Sequence, residues 1–88
     1  MSILESEIVV SDIGTNVQHS LVLYNSLHYY NDVVDQLQKA TGFDIIQCEQ
    51  IAMIAHTKGK AIVKTGEIPF LSKINTVLQE INLLTEII

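Results

Sequence analysis

Cys48 and His56 are the two residues that most invite a chemical reading, a thiol and an imidazole of the kind that serve as nucleophile and base. Eight residues apart on one predicted helix, they are separated by about 12 Å along its axis, beyond hydrogen-bond reach. Cys48 is therefore expected in the core. The histidines His19, His28 and His56, taken with Cys48, show neither paired CxxC nor HExxH spacing, so no metal site and no cofactor is expected. No GxxxxGK loop, GxSxG elbow or GxGxxG turn occurs, which leaves phosphate cradling and hydrolase chemistry without support. What the spacing does offer is binding. Ala52 and His56 lie four apart, which stacks an imidazole above a small side chain and makes a small apolar dent beside one polar hook. The plainer alternative has His56 capping the helix C-terminus, where its partial positive charge suits the dipole. Tyr24, Tyr29 and Tyr30 either line a recognition pocket or cover the end of a small core.

The elements that must position these residues follow from pattern and punctuation. HSLVLY (His19 to Tyr24) reads as a first core strand with both faces partly covered. After a turn region, Asn31 is the expected cap of a helix with Asp32 and Asp35 near its positive end and Val33, Val34, Leu37 and Ala40 on its apolar face. Gly42 supplies a left-handed stop. Asp44 with Gln47 makes a capping box for a second helix reaching about His56, with Cys48, Ile51, Ala52 and Ala55 on one face. Beyond Gly59 a strand runs from Lys60 to Lys64, with Thr65 and Gly66 as a turn. Pro69 is expected as the first residue of a third helix that carries Phe70, Ile74, Val77, Leu78 and Ile81 up to Asn82. LLTEII, Leu83 to Ile88, suits a last strand. The order β-α-α-β-α-β predicts a small α+β sandwich, a three-stranded antiparallel sheet packed on three helices. Residues 1–18 read as an acidic, flexible N-terminal extension in which Ile8 to Val10 is a candidate strand, and residues 19–88 as the domain.

Composition narrows the function classes. At 88 residues the chain holds one domain with one core. Lysines and arginines total 5, all of them lysine, against 10 acidic residues, so no cationic stripe exists to neutralise a phosphate backbone and nucleic acid is not an expected partner. No apolar run approaches the twenty or so residues of a membrane span. One cysteine forms no internal disulfide, and SILESEIVV after Met1 lacks the basic start and small-residue cleavage site of a secretory signal, so a reducing cytoplasm is the expected setting. A monomer is the expected state for so small a domain.

Four segments together carry a family resemblance: LVLYN, DVVDQLQKATGF, CEQIAMIAHTKGKAIVKTG and the final LLTEII. Over residues 19 to 88 the chain resembles the ClpS family of adaptor proteins, most specifically at HTKGKA, His56 to Ala61, at the family's distance from LVLYN. The resemblance implies an adaptor and no enzyme. It would bind proteins bearing an N-degron, a bulky hydrophobic N-terminal residue, and deliver them to the N-domain of a Clp AAA+ unfoldase and its protease. In the family an Asn-Asp-Asp loop and a histidine of the second helix hold the substrate's α-amino group, and a pocket between helices takes its first side chain. Carried over, Asn25 matches the loop asparagine and His56 the histidine, with Tyr30, Val33, Ala52, Ala55 and Leu83 lining the pocket. Ser26 and Leu27 stand where the two aspartates are expected, in a loop one residue shorter. Losing an anionic acceptor for an ammonium forfeits roughly 1.5 to 3 kcal/mol, about ten- to a hundredfold in affinity. Leu27 either extends the apolar rim or fills the pocket.

Three function hypotheses follow. The first is an N-terminal-residue receptor feeding a Clp machine, motivated by Asn25, His56 and the alanine-floored pocket. The second, motivated by Ser26 and Leu27, is a diverged paralogue that docks on the unfoldase as a regulator and is indifferent to a peptide's first residue. The third is a small enzyme using His56 with Cys48 or an acid, which no spacing supports.

Overall fold

The computed structural model describes residues 17–88. The chain runs β1 (His19–Tyr24), α1 (Tyr30–Thr41), α2 (Ile45–Lys58), β2 (Lys60–Gly66), α3 (Ile68–Leu78), a 3-10 turn (Gln79–Ile81) and β3 (Thr85–Ile87). This is the expected α+β order, and the strands form one three-stranded antiparallel sheet in the order β2-β1-β3. The candidate strand at Ile8 to Val10 lies outside the described residues, as does the expected extension up to residue 16. Among the described residues no helix is long and apolar enough to cross a membrane.

β1 is central because its inward residues are leucines that every helix can cover. Leu21 and Leu23 are fully buried and share one core with Val34 and Leu37 of α1, Cys48, Ile51, Ala52 and Ala55 of α2, and Leu71, Ile74 and Leu78 of α3. Each such aliphatic side chain contributes about 1.5 to 3 kcal/mol on burial, which a chain this short can scarcely spare. β2 carries a bulge: Leu21 pairs with Lys64 but Val22 pairs with Ile62, so Val63 and Lys64 together oppose Leu21. The extra residue keeps Val63 in the core and brings Lys64 to the helix side, its Nζ 5.5 Å from the Phe43 ring and 5.8 Å from the Phe70 ring.

Several boundaries differ from expectation. α1 begins at Tyr30, not after an Asn31 cap; Tyr29 is the cap residue, with no side-chain hydrogen bond, and only Asp32 falls in the first turn. The Tyr29 carbonyl accepts from the Val33 N–H, so the helix is already under way at Tyr30, two residues before an Asn31 cap would start it. α2 starts where expected, with Asp44 Oδ1 accepting from the Gln47 N–H at 2.9 Å, but it runs on to Lys58. Gly59 ends it at φ 92°, and a Cβ there would meet nothing within 4 Å, so backbone conformation and not room selects glycine. Thr65 and Gly66 extend β2 through a Ser20–Thr65 hydroxyl contact and pairing with His19, in place of the expected turn. Pro69 is the second residue of α3, after Ile68, where its missing N–H is equally harmless. The last strand is shorter than LLTEII because the 3-10 turn and Asn82, at φ 61°, still reverse the chain, leaving Leu83 and Leu84 outside β3.

The α1–α3 seam is tied by polar groups. The Gln36 amide donates to the Val77 carbonyl at 2.5 Å, and Lys39 Nζ lies 2.7 Å from Glu80 Oε1. Lys39, and then Gln36, hold the Glu80 carboxyl below the ordinary carboxylate value. A depressed carboxylate contributes stability above its unfolded pKa and loses it as pH falls through the folded value. The pair is exposed and its contribution small. Between neutral pH and about pH 3 the melting temperature of the native chain is therefore expected to fall slightly further than that of Glu80→Gln, and equal falls would dismiss the linkage. Asp44→Ala is expected to cost about 0.5 to 2 kcal/mol in urea unfolding, and Asp44→Asn much less.

Candidate functional site

The two chain reversals that end β1 and α2 meet at one edge of the molecule. The Asn25 N–H donates to the Gly59 carbonyl at 2.9 Å, which continues the β1–β2 ladder one step past Tyr24 and Lys60. That bond sets the loop after β1 beside the last turn of α2, where His56 sits. Opposite, α1 enters with Tyr30 and Val33, and the Tyr30 hydroxyl donates to the Glu49 carbonyl at 3.2 Å, bridging α1 to α2.

Between these walls lies a cavity of about 120 Å³ lined by Leu23, Tyr24, Asn25, Ser26, His28, Tyr30, Val33, Ala52, Ala55 and His56. Its floor is apolar, with Ala52 and Ala55 buried and small enough to leave the space open. An apolar cavity of about 150 Å³ holds a benzene ring, so the room here is on the scale of one side chain. Of the residues singled out from the sequence, Asn25, Ser26, Tyr30, Val33, Ala52, Ala55 and His56 are brought together at it. Leu83 is not among its lining residues; it lies buried in the core. Leu27 neither fills the cavity nor lines it: its side chain is fully exposed and borders a neighbouring shallow depression with Asn25, Ser26, His28, Asn82 and Leu84.

Tyr24, one of the three tyrosines read as either pocket wall or core cover, lines the cavity as Tyr30 does, and Tyr29 does not. Leu23 and His28 line it without a sequence expectation, and Leu23, two residues before Asn25 on β1, could have been inferred from the strand's end. His28 had no local signal, because what holds it is far away in sequence: its Nε2 meets the Ile81 carbonyl, 53 residues on, at 2.5 Å, and its Nδ1 meets Ser26 Oγ at 2.8 Å.

Among the described residues, no carboxylate lines the cavity. The Glu49 side chain borders a separate depression on the outer side of α2, with Ile46, Gln50, Met53 and Ile54. The polar groups at the rim are the Asn25 amide, the Ser26 hydroxyl and the imidazoles of His28 and His56. Both His28 nitrogens are engaged, by Ser26 and by the Ile81 carbonyl, which leaves the Asn25 amide, the Ser26 hydroxyl and the His56 imidazole as hydrogen-bonding groups for a ligand with an apolar body and a polar head that donates. Among the described residues there is no group of three or more His, Cys, Asp or Glu able to hold a metal ion.

A family model described as ATP-dependent Clp protease adaptor protein ClpS matches residues 15–82, which span β1 through the 3-10 turn and hence the whole cavity. No curated protein matches the chain.

Cys48 takes no part in the site. It is fully buried, its Sγ 3.8 Å from the Phe43 carbonyl, and burial pushes its thiol above the ordinary value. Reaction with iodoacetamide is expected to track global unfolding, slowing as the fold is stabilised; alkylation at the rate of a free thiol in native buffer would contradict that burial.

Proposed function

The chain belongs to the ClpS family of ATP-dependent Clp protease adaptors, and from that premise we propose that it binds substrate proteins through a bulky hydrophobic N-terminal residue and hands them to a Clp AAA+ unfoldase. The observation that carries this reading is the cavity itself. A partly enclosed, alanine-floored recess on the scale of one side chain, with hydrogen-bond acceptors at its rim, fits the end of a chain better than its middle. Only a terminal residue presents both a side chain for the floor and a free ammonium, with several donors, for the rim. Selection for size comes from the walls, since a side chain too large clashes with Val33 or Tyr30. A small one leaves the recess partly empty. Selection for the free amine comes from Asn25, Ser26 and His56, whose acceptors would be desolvated and unpaired beneath an acylated terminus.

The adaptor acts by holding and not by chemistry, as a monomer. Residues 1–18, ahead of β1, serve delivery and not capture in this reading. Deleting them is expected to leave peptide affinity unchanged and to abolish degradation of a tethered substrate by the Clp machine.

Fluorescence anisotropy of labelled peptides that differ only at the first residue tests the capture step. Peptides starting with Leu, Phe, Tyr or Trp are expected to bind in the micromolar range or tighter, and those starting with Met or Glu, or with N-acetylated Phe, at least tenfold more weakly. His56→Ala is expected to weaken the bulky-residue peptides by roughly ten- to a hundredfold. Indifference to the first residue, together with capture of a Clp unfoldase by the domain, would overturn the reading in favour of a regulator that docks without reading N-termini.

A further inference from the structure

The loop that carries Ser26 is wired in a way that fixes which end of its hydroxyl faces the cavity. A carbonyl oxygen only accepts, so the contact between His28 Nε2 and the Ile81 carbonyl requires a hydrogen on Nε2. In a neutral imidazole Nδ1 is then bare and only accepts, so at 2.8 Å the Ser26 hydroxyl must be the donor. With its one hydrogen committed to His28, the Ser26 oxygen presents lone pairs alone to its remaining surroundings. A serine without that partner rotates freely and offers donor and acceptor alike.

We propose that His28 is a positioning residue that makes Ser26 an obligate uncharged acceptor for the ammonium of a bound N-terminal residue, through a chain running from Ser26 over His28 to the Ile81 carbonyl. The inference rests on the functional reading of the cavity and adds to it a source of amine selectivity in a site that, among the described residues, no carboxylate lines. Three features of the structure support it. Ser26 and His28 both line the cavity. Both are half-buried, so water competes weakly for the hydroxyl hydrogen. The anchor is a backbone carbonyl in the 3-10 turn after α3, a turn closed by the Asn82 N–H donating to the Gln79 carbonyl. His28 acts through Ser26, and its effect must vanish when Ser26 has no hydroxyl.

The test compares a peptide beginning with free phenylalanine against its desamino analogue, which keeps the ring and lacks the ammonium, on the full-length chain. The native protein is expected to favour the amine. Ser26→Ala and His28→Phe are each expected to cut that preference, read as the ratio of the two affinities within each variant, by roughly ten- to a hundredfold. The double variant is expected to match Ser26→Ala, the non-additivity that marks one residue acting through another. His28→Gln is expected to retain much of the preference, since its amide nitrogen can donate to the Ile81 carbonyl while its oxygen accepts from Ser26. Nitrogen NMR of the free protein reads the tautomer without any ligand, with His28 expected to carry hydrogen on Nε2 and none on Nδ1. A hydrogen on Nδ1, additive effects of the two substitutions, or an equal loss for both peptides would overturn the proposal while leaving the receptor reading standing. A native chain that fails to distinguish amine from desamino peptide would overturn both.

Discussion

One hydrogen bond, from the Asn25 N–H to the Gly59 carbonyl, fixes the geometry on which the cavity depends. It ties the end of the central strand to the point where α2 stops. Each side of that bond is already constrained: β1 by its buried leucines, α2 by a glycine in a left-handed conformation. Neither reversal alone would make a recess. Held together, they put an amide and a hydroxyl from one loop across from an imidazole on one helix turn, above two alanines that leave room. Stability and recognition thus share residues, since Ala52 and Ala55 belong both to the core and to the cavity floor.

The rim achieves its polarity without charge. For a chain of net charge −5 this is a local exception among the described residues, whose acids lie elsewhere, as where the Tyr24 hydroxyl donates to Glu86 on the sheet at 2.6 Å. Burying a carboxylate beside an apolar recess would carry a desolvation cost whenever the site stood empty. Neutral acceptors avoid that cost and accept in exchange a weaker hold on an ammonium. Their orientation then matters more than their number, which is why a histidine anchored on a distant carbonyl bears on the behaviour of a serine.

Much of the fold could be read from punctuation. Gly42, Asp44 and Gly59 each impose a local geometry that no tertiary contact needs to supply, and the elements they bound lie where they were expected within a few residues. The errors arose where punctuation was ambiguous. Asn31 is a good cap residue standing one position inside a helix, and the backbone of Tyr29 closes that turn instead. Leu83 falls outside the last strand because an apolar terminal hexapeptide hides the left-handed Asn82 that delays β3 until Thr85, and it is not among the residues lining the pocket, where the family resemblance had implied a place for it. The alanine floor and His56 were legible because they repeat on one helix. His28 was not, since its partner lies 53 residues away and no local pattern encodes such a contact.

The order in which the site's parts appear along the chain has its own consequence. The loop residues that read the ligand are made early, directly after β1, but the carbonyl that orients His28 belongs to residue 81 and the strand that seals β1's free edge ends at residue 87. A domain folds as a unit, and contacts of high sequence separation carry the larger loop-closure cost. A nascent chain, or one clipped after α3, therefore has the apolar floor before it has an ordered polar rim. Competence to discriminate arrives only once Ile81 and β3 are in place, so a copy that lacks them is a sticky surface and not yet a receptor.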